Sequence, residues 1–156
     1  MANKRYSCIG LFNPKSPENV GSIMRAAGCY GANSVYYTGT RYDRAKDFIT
    51  DTKKIHQDIP LVNIDDLRRI LPVGCTPVAV ELVEGARALP EYTHPDRAFY
   101  IFGPEDGSLS KEIIDWCHEV VYIPTEGCMN LAATVNVVLY DRLAKGKNTR
   151  SGPQFG

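Results

Sequence analysis

Three residues near the N-terminus have types and a spacing that could bind an anion. Asn19, Gly21 and Arg25 form the pattern N-x-G-x-x-x-R within residues 12–32, FNPKSPENVGSIMRAAGCYGA. An amide and a guanidinium beside a helix N-terminus can hold a phosphate, because the free backbone N–H groups there favour negative charge. Taken alone, such residues are more often a surface charge and a helix-end hydrogen-bond donor. The glycine-rich phosphate loops of dinucleotide-binding and P-loop proteins do not occur in this sequence.

Two later turns place polar side chains at the ends of apolar runs. Residues 103–110, GPEDGSLS, follow the run AFYIFG and carry Glu105. Residues 123–131, IPTEGCMNL, end the run EVVYIP and carry Asn130, whose amide could either cap a helix or bind a ligand. Ligands of open α/β sheets bind at the carboxyl ends of the strands. We therefore expect both turns to converge with the first motif at one edge of one sheet.

The elements that would position these motifs follow from the hydrophobic pattern. Near-continuous apolar runs predict strands covered on both faces, as in a parallel sheet; they span 6–12, 34–39, 60–64, 76–82, 98–103 and 119–124. Helical patterns predict helices at about 17–30, 65–71, 110–117 and 130–144. The polar residues 40–58 predict an exposed loop or a short helix. This alternation predicts an α/β fold with a single, mainly parallel sheet and helices on both faces.

The first predicted helix has a clear start and two distinct faces. Ser16 is a good N-cap, Pro17 takes the first helical position, and Glu18 favours the positive helix end. The apolar residues that recur at helical spacing and should face the sheet are Val20, Ile23, Met24, Ala27 and Tyr30. Asn19 and Arg25 fall on a neighbouring, more exposed stripe.

The predicted last helix carries two apolar stripes. The stripe that can pack on the sheet consists of Leu131, Val135, Val138, Leu139 and Arg142. A second stripe through Val137, Tyr140 and Ala144 would be left to water in a monomer. Asn136 lies beside them, and a buried or interfacial asparagine must find a partner. We therefore expect a homodimer built on the first and last helices.

Length and hydropathy indicate one domain in the cytoplasm. The 156 residues are enough to bury a substantial core. No apolar run approaches the roughly 20 residues needed to cross a bilayer, and the apolar stretch after Lys4 and Arg5 is too short for a signal peptide. Residues 1–146 are predicted to form the domain, and residues 147–156 a flexible tail.

Charge and metal-ligand patterns set further expectations. The 18 basic and 18 acidic residues cancel, so any nucleic-acid binding would depend on local clusters. Two basic clusters occur, in RYDRAKDF with Lys53 and Lys54, and in DRLAKGKNTR near the C-terminus. The five cysteines and three histidines are scattered and show no C-x-x-C spacing. We expect neither a disulfide framework nor a metal site.

Taken together, the three motifs resemble those of a known enzyme family. N-x-G-x-x-x-R, then GPEDGSL, then IPTEGCMNL, in this order and spacing, are similar to the motifs of the TrmH-type RNA ribose methyltransferases of the SPOUT superfamily. The resemblance extends over about residues 6–143. It implies a deep trefoil knot in the C-terminal part of the domain, a homodimer, and S-adenosylmethionine as the cofactor. Knots run against the usual topology of proteins, so that expectation rests on the resemblance alone.

The resemblance also implies roles for individual residues. Arg25 and Asn19 would hold the ribose and its adjacent phosphate, and Glu105 and Asn130 match the family's other functional positions. The two later turns, with the segment at Leu82 as a third wall, would form the cofactor pocket. The implied cofactor-binding residues are Leu82, Phe102, Gly103, Glu105, Gly107, Ile123, Pro124, Thr125, Met129 and Leu131.

The implied reaction is methyl transfer from a sulfonium to a ribose 2′-hydroxyl. That hydroxyl is a very weak acid, so the site must stabilise the developing alkoxide and align it with the methyl group. Because a guanidinium is almost never neutral, Arg25 is expected to bind the phosphate and stabilise charge, and the substrate phosphate could take the proton. Cys128 and Ala132 stand where the family usually has serine, so no role of those hydroxyls can be transferred.

Several interpretations of the substrate and of the activity stay open. A tRNA 2′-O-methyltransferase is favoured, with ribosomal RNA as the alternative substrate. A catalytically weak RNA-binding dimer would keep the knot and the pocket, but the intact set of four functional residues disfavours it. A flavodoxin-like binder of small molecules is the least favoured interpretation, although fold alone does not determine function.

Overall fold

The protein folds around one parallel sheet. The structure is a computed structural model that describes residues 5–46 and 58–146. Its strands are β1 (Tyr6–Leu11), β2 (Val35–Tyr37), β3 (Leu61–Asn63), β4 (Thr76–Val80), β5 (Arg87–Ala88), β6 (Arg97–Phe102) and β7 (Glu119–Tyr122). Within these described residues the order is β3-β2-β1-β6-β4-β7-β5, and every pairing is parallel. The predicted single α/β sheet is confirmed.

Six of these strands were expected from the sequence, and one was not. The expected strands are all present, and their ends differ from the predicted ones by at most two residues. Strand β5 pairs with β7 at the edge of the sheet that the described residues form. It contains two residues, Arg87 and Ala88, and two residues are too few to show a hydrophobic period.

The helices lie close to their predicted positions. They are α1 (Pro17–Tyr30), α2 (Arg41–Lys46), α3 (Lys111–Trp116) and α4 (Leu131–Lys145), with 3-10 helices at Leu67–Ile70 and Leu89–Glu91. The Ser16 hydroxyl accepts a hydrogen bond from the Asn19 backbone at 3.2 Å, which confirms the predicted N-cap of α1. Gly31, with φ 73°, ends α1 in the left-handed conformation that favours glycine. The predicted helix 65–71 is a 3-10 helix of four residues instead of an α-helix.

Helices cover both faces of the sheet, as predicted. Alternate strand residues point to opposite faces. On one face α1 and α4 pack together in a core that includes Ile9, Val20, Ile23, Val78, Tyr100, Phe102, Val135 and Leu139. On the other face, α3 and the first 3-10 helix contribute to a core of Cys8, Leu67, Ala79, Phe99, Ile101, Leu109 and Ile113. The near-continuous apolar strands follow from this double cover.

Tyr30 of α1 and Arg142 of α4 differ from the apolar core residues around them. Tyr30, expected to face the sheet, is only half-buried and makes an edge contact with Tyr140 at 6.5 Å between ring centroids. Arg142 is buried on the sheet-facing side of α4, as expected. Its guanidinium donates to the carbonyl oxygens of Pro95 and Asp96 and to the Tyr100 hydroxyl. These acceptors explain how a charge is tolerated there.

Some expectations concern parts of the chain outside the described residues. The predicted tail, 147–156, lies outside them, as do Lys53 and Lys54 of the first basic cluster. The trefoil knot and the domain boundary at residue 146 stay predictions. Among the described residues, no helix is both long and apolar enough to span a membrane.

Candidate active site

The three sequence motifs meet at the carboxyl edge of the sheet. Strands β1, β6, β4 and β7 are neighbours in that order. Because all of them are parallel, the segments that follow them lie side by side at one edge. The segment after β1 leads into α1, the turn 103–109 follows β6, and the turn 123–131 follows β7. The predicted convergence of the motifs is confirmed.

Glu105 holds the start of α1. Its carboxylate accepts hydrogen bonds from the backbone N–H groups of Lys15, at 2.9 Å, and Ser16, at 2.8 Å. It also accepts one from the Asn19 side chain at 3.2 Å. An anion is favoured at this place, because it lies at the positive end of the helix dipole. Glu105 therefore ties the turn after β6 to the first motif.

Asn130 joins the third motif to the same cluster. Its side-chain oxygen accepts from the Ala133 backbone at 3.0 Å and so caps α4. Its amide nitrogen donates to the Asn19 side-chain oxygen at 2.9 Å. Of the two roles left open by the sequence, capping is confirmed, and binding of a ligand stays a prediction. The continuous chain Asn130–Asn19–Glu105 links all three motifs.

The carboxyl group of Glu105 is ionised at neutral pH. Burial raises its pKa, but hydrogen bonds from the Ser16 and Lys15 backbone and from the Asn19 side chain outweigh burial and lower the pKa overall. A carboxylate whose pKa lies below the usual range is a poor proton donor at neutral pH. Its position indicates that Glu105 holds α1 and Asn19 in place.

Replacing Glu105 with glutamine is expected to lower the free energy of unfolding by about 1–2 kcal/mol at neutral pH, because the N–H donors lose a charged acceptor. Since the folded state lowers the pKa, this stabilisation is present above the pKa of an unfolded glutamate and is lost as the pH falls through the folded-state pKa. Denaturant unfolding of the wild-type protein and of Glu105→Gln should give different free energies of unfolding at neutral pH. This difference should shrink in acid. Equal stability at neutral pH would contradict the assignment.

Arg25 lies outside this hydrogen-bonded cluster. It is exposed on α1 and forms no ion pair or side-chain hydrogen bond with the residues that the structure describes. The structure therefore brings together three of the four residues expected to be catalytic, Asn19, Glu105 and Asn130. The fourth residue is Arg25, which lies on the same helix as Asn19 and whose guanidinium is accessible to a ligand.

The first position of the turn 103–109 leaves little space for a side chain. A Cβ on Gly103 would lie 3.0 Å from the Leu109 backbone nitrogen and 3.4 Å from a Glu81 carboxylate oxygen. Glu81 itself accepts a hydrogen bond from that nitrogen at 2.9 Å. This bond connects the segment after β4 with the turn after β6. Glu81 was not expected from the sequence, because the predicted strand 76–82 includes it, whereas β4 ends at Val80.

The residues expected to bind the cofactor differ in accessibility. Those that are exposed or half-buried at the strand ends are Leu82, Gly103, Glu105, Gly107, Ile123, Pro124, Thr125 and Met129. Leu131 is largely buried at the start of α4. Phe102 is 1% exposed and its side chain belongs to the core under α1 and α4, not to an open slot. Its carbonyl oxygen accepts from the Phe12 backbone at 2.9 Å, so it supports the segment after β1.

The chemistry of these strand ends fits S-adenosylmethionine. Adenine needs apolar contact surfaces with a few polar groups nearby. Leu82 is 76% exposed beside this edge, and Ile123 and Met129 are half-buried there. The missing side chain of Gly103 lets the Leu109 backbone and Glu81 approach closely, which sets the shape of the turn after β6. Within the described part of the chain, no group of three or more metal-ligating side chains occurs.

Comparison with known families agrees with this site. The sequence model of the SpoU rRNA methylase family matches residues 7–140. The match covers most of the chain and all three motifs, so the chain belongs to the SpoU rRNA methylase family. The resemblance to TrmH-type enzymes is thereby confirmed. A search of curated protein sequences gave no significant match.

Several solved structures have a fold similar to that of this chain. The TrmH/SpoU tRNA modifying enzyme of A. aeolicus is 19% identical, with a TM-score of 0.71 over 90% of this chain and 75% of that one. A structure that addresses 2-OH methylation of C/U34 on tRNA is 21% identical, with a TM-score of 0.74 and 92% of each chain covered. The methyltransferase AviRb of Streptomyces viridochromogenes, solved with AdoMet, is 19% identical, with a TM-score of 0.71. That match covers 96% of this chain and 61% of AviRb. At such identities the likeness shows the fold.

Proposed function

We propose that the chain is an S-adenosylmethionine-dependent RNA methyltransferase that modifies a ribose 2′-hydroxyl, with tRNA as the favoured substrate. The observation that carries the proposal is the Asn130–Asn19–Glu105 chain, which joins the three family motifs beside an exposed Arg25. Two of the similar structures concern tRNA, and one of them has nearly the length of this chain. Ribosomal RNA, which the family description names, is the alternative substrate.

The protein's contribution to the reaction is binding, orientation and charge stabilisation. When bound between the turns 103–109 and 123–131 and Leu82, S-adenosylmethionine supplies a methyl group on a positively charged sulfur. Arg25 binds the phosphate beside the target ribose, and its fixed charge stabilises the oxygen as it loses its proton. A guanidinium does not act as a base at neutral pH, so the substrate phosphate is the proposed proton acceptor. Glu105 fixes the positions of Asn19 and of the start of α1 relative to this phosphate.

S-adenosylhomocysteine is expected to bind with about one site per subunit, and EDTA should change neither its binding nor methylation. The reason is that the proposed site uses glycine turns and apolar side chains, with no metal ligands. Gly103→Ala should weaken binding by about tenfold or more, since its Cβ would displace the Leu109 backbone. Titration calorimetry measures both. A strict need for zinc or magnesium, or full affinity in the variant, would contradict this site.

The methylation assay tests the function directly. Total tRNA and ribosomal RNA are incubated separately with the protein and labelled S-adenosylmethionine, and nucleosides are then mapped. The proposal expects a 2′-O-methylated nucleoside in tRNA. Label on ribosomal RNA would favour the alternative substrate, and label on a base would contradict ribose chemistry. Binding of RNA and S-adenosylhomocysteine without transfer would favour the catalytically weak dimer. Binding of flavin in place of S-adenosylhomocysteine would favour the small-molecule binder.

We also propose that the protein is a homodimer built on α1 and α4, and that it acts in the cytoplasm. Val137, Tyr140 and Leu143 are 38%, 58% and 52% exposed on α4, and Ala144 of the predicted stripe is exposed as well. Such an apolar stripe is unfavourable in water and marks an interaction surface. Asn136 donates to the Ala132 carbonyl of its own helix at 2.9 Å. Its amide is therefore partnered within the subunit, and the apolar stripe carries the proposal. A dimer would also bring two copies of each basic cluster to the RNA.

A further inference from the structure

Arg41, the first residue of α2, contacts two segments of the candidate site. Its Nη1 and Nη2 atoms donate to the two carboxylate oxygens of Asp106 at 2.7 and 3.0 Å. Nη2 also donates to the Asn13 carbonyl oxygen at 2.7 Å. Asp106 directly follows Glu105, and Asn13 lies two residues before Lys15. Arg41 thus bridges the same two segments that Glu105 joins.

The segment after β1, whose Asn13 carbonyl oxygen binds Arg41, packs closely against the segment after β2. Asn13 has φ 50°, which is uncommon for a residue other than glycine. Its backbone nitrogen donates to the Thr38 hydroxyl at 3.1 Å. Gly39 has φ 83°, and a Cβ there would lie 2.2 Å from the Asn13 side-chain oxygen. The segments after β1 and β2 therefore fit closely at the place where Arg41 begins α2.

We propose that Arg41 is a positioning residue of this site: its bidentate bond to Asp106 and its bond to Asn13 set the turn 103–109 against the start of α1. Glu105 then meets the Lys15 and Ser16 amides in the geometry that holds Asn19. The kinetic part of this inference rests on the proposed methyltransferase function. A bidentate guanidinium–carboxylate pair adds directional specificity. A partly exposed pair, here 31% and 49% exposed, adds little to global stability. Arg41 should therefore control local geometry more than unfolding.

The competing role for Arg41 is direct contact with an RNA phosphate. In that role Asp106 would only compete with the RNA for the guanidinium. The two roles predict opposite effects of removing the Asp106 charge. If Arg41 positions the turn, Asp106→Asn should impair the site. If Arg41 contacts RNA, the same variant should strengthen RNA binding, because the guanidinium loses its competing anion.

Amide hydrogen exchange, followed by NMR at Lys15 and Ser16 in the full chain, tests the positioning role without using activity. Arg41→Met and Asp106→Asn should each speed exchange of these two amides by about tenfold, because their acceptor becomes mobile. The matched control is Asp115→Asn, which removes the exposed Lys111–Asp115 ion pair of α3, and it should leave both amides unchanged. Unchanged exchange in Arg41→Met or in Asp106→Asn would overturn the inference.

Kinetics with RNA extend the test. Each variant should lower kcat by about tenfold with KM for RNA within about twofold. The double variant should be no worse than Arg41→Met, because Arg41→Met already removes the contact with Asp106. Arg41→Lys should lower kcat as much as Arg41→Met does, because lysine cannot donate to two carboxylate oxygens through a planar fork. Tighter RNA binding and full kcat in Asp106→Asn would overturn the inference in favour of an RNA contact. If the wild-type chain methylates no RNA, the proposed function fails, and the exchange experiment still decides the role of Arg41.

Discussion

Replacing Arg25 with alanine is expected to lower the rate of RNA methylation by about 10²- to 10³-fold, the usual effect of removing a group that stabilises charge in the transition state. The fold should not need this side chain. Arg25 is exposed on α1, and its side chain forms no ion pair or hydrogen bond with the described residues. The residues proposed to bind the cofactor lie at the ends of β4, β6 and β7, so S-adenosylhomocysteine should still bind normally. The loss should therefore appear in kcat and not in cofactor affinity.

Two further variants make the Arg25 experiment specific. Arg25→Lys should recover little activity, because lysine cannot bind a phosphate through a planar fork. Arg69→Ala removes another exposed arginine, on the 3-10 helix Leu67–Ile70 over the opposite face of the sheet, and should keep most of the activity. Thermal unfolding and titration calorimetry accompany the kinetics. If Arg25→Ala methylates tRNA at the wild-type rate, the proposed role of the guanidinium is wrong.

Replacing Tyr140 with aspartate is expected to convert the proposed dimer into monomers at low micromolar concentration, with loss of RNA methylation. Tyr140 lies at the centre of the exposed stripe of α4, between Val137 and Leu143, and its ring touches Tyr30 of α1. A carboxylate buried without a partner in an interface costs about 3–5 kcal/mol. In a symmetric dimer the change enters the interface twice. The subunit itself should stay folded, because the Tyr140 side chain is mostly in water.

Light scattering and the methylation assay decide this prediction together. Val73→Asp is the matched control, since Val73 is an apolar residue that is 90% exposed in the segment before β4. It should leave both mass and activity unchanged. A Tyr140→Asp protein that is folded, monomeric and inactive would support a dimer that acts as a unit. A monomeric wild-type protein with full activity would contradict the proposal.

The amino-acid sequence by itself determined the main elements and the class of site. Helix α1 could be predicted from end to end, because Ser16, Pro17 and the apolar spacing are local signals. The six expected strands were predicted for the same reason, as apolar runs between turns. The order and spacing of the three motifs indicated the family and the edge of the sheet where they meet. The elements and each single motif depend on residues close to one another in the chain.

The tertiary structure alone decided which of these residues touch. Glu105 and Ser16, Asn130 and Asn19, and Arg41 and Asp106 are 89, 111 and 65 positions apart in the chain. The sequence also did not show that the Phe102 side chain faces the core, because a strand that is apolar on both sides carries no pattern that marks its faces. The contacts between motifs arise because β1, β6, β4 and β7 are neighbours, although they are not consecutive in the chain. That order is set by the packing of the whole sheet between its helices, and no local pattern of side chains encodes it.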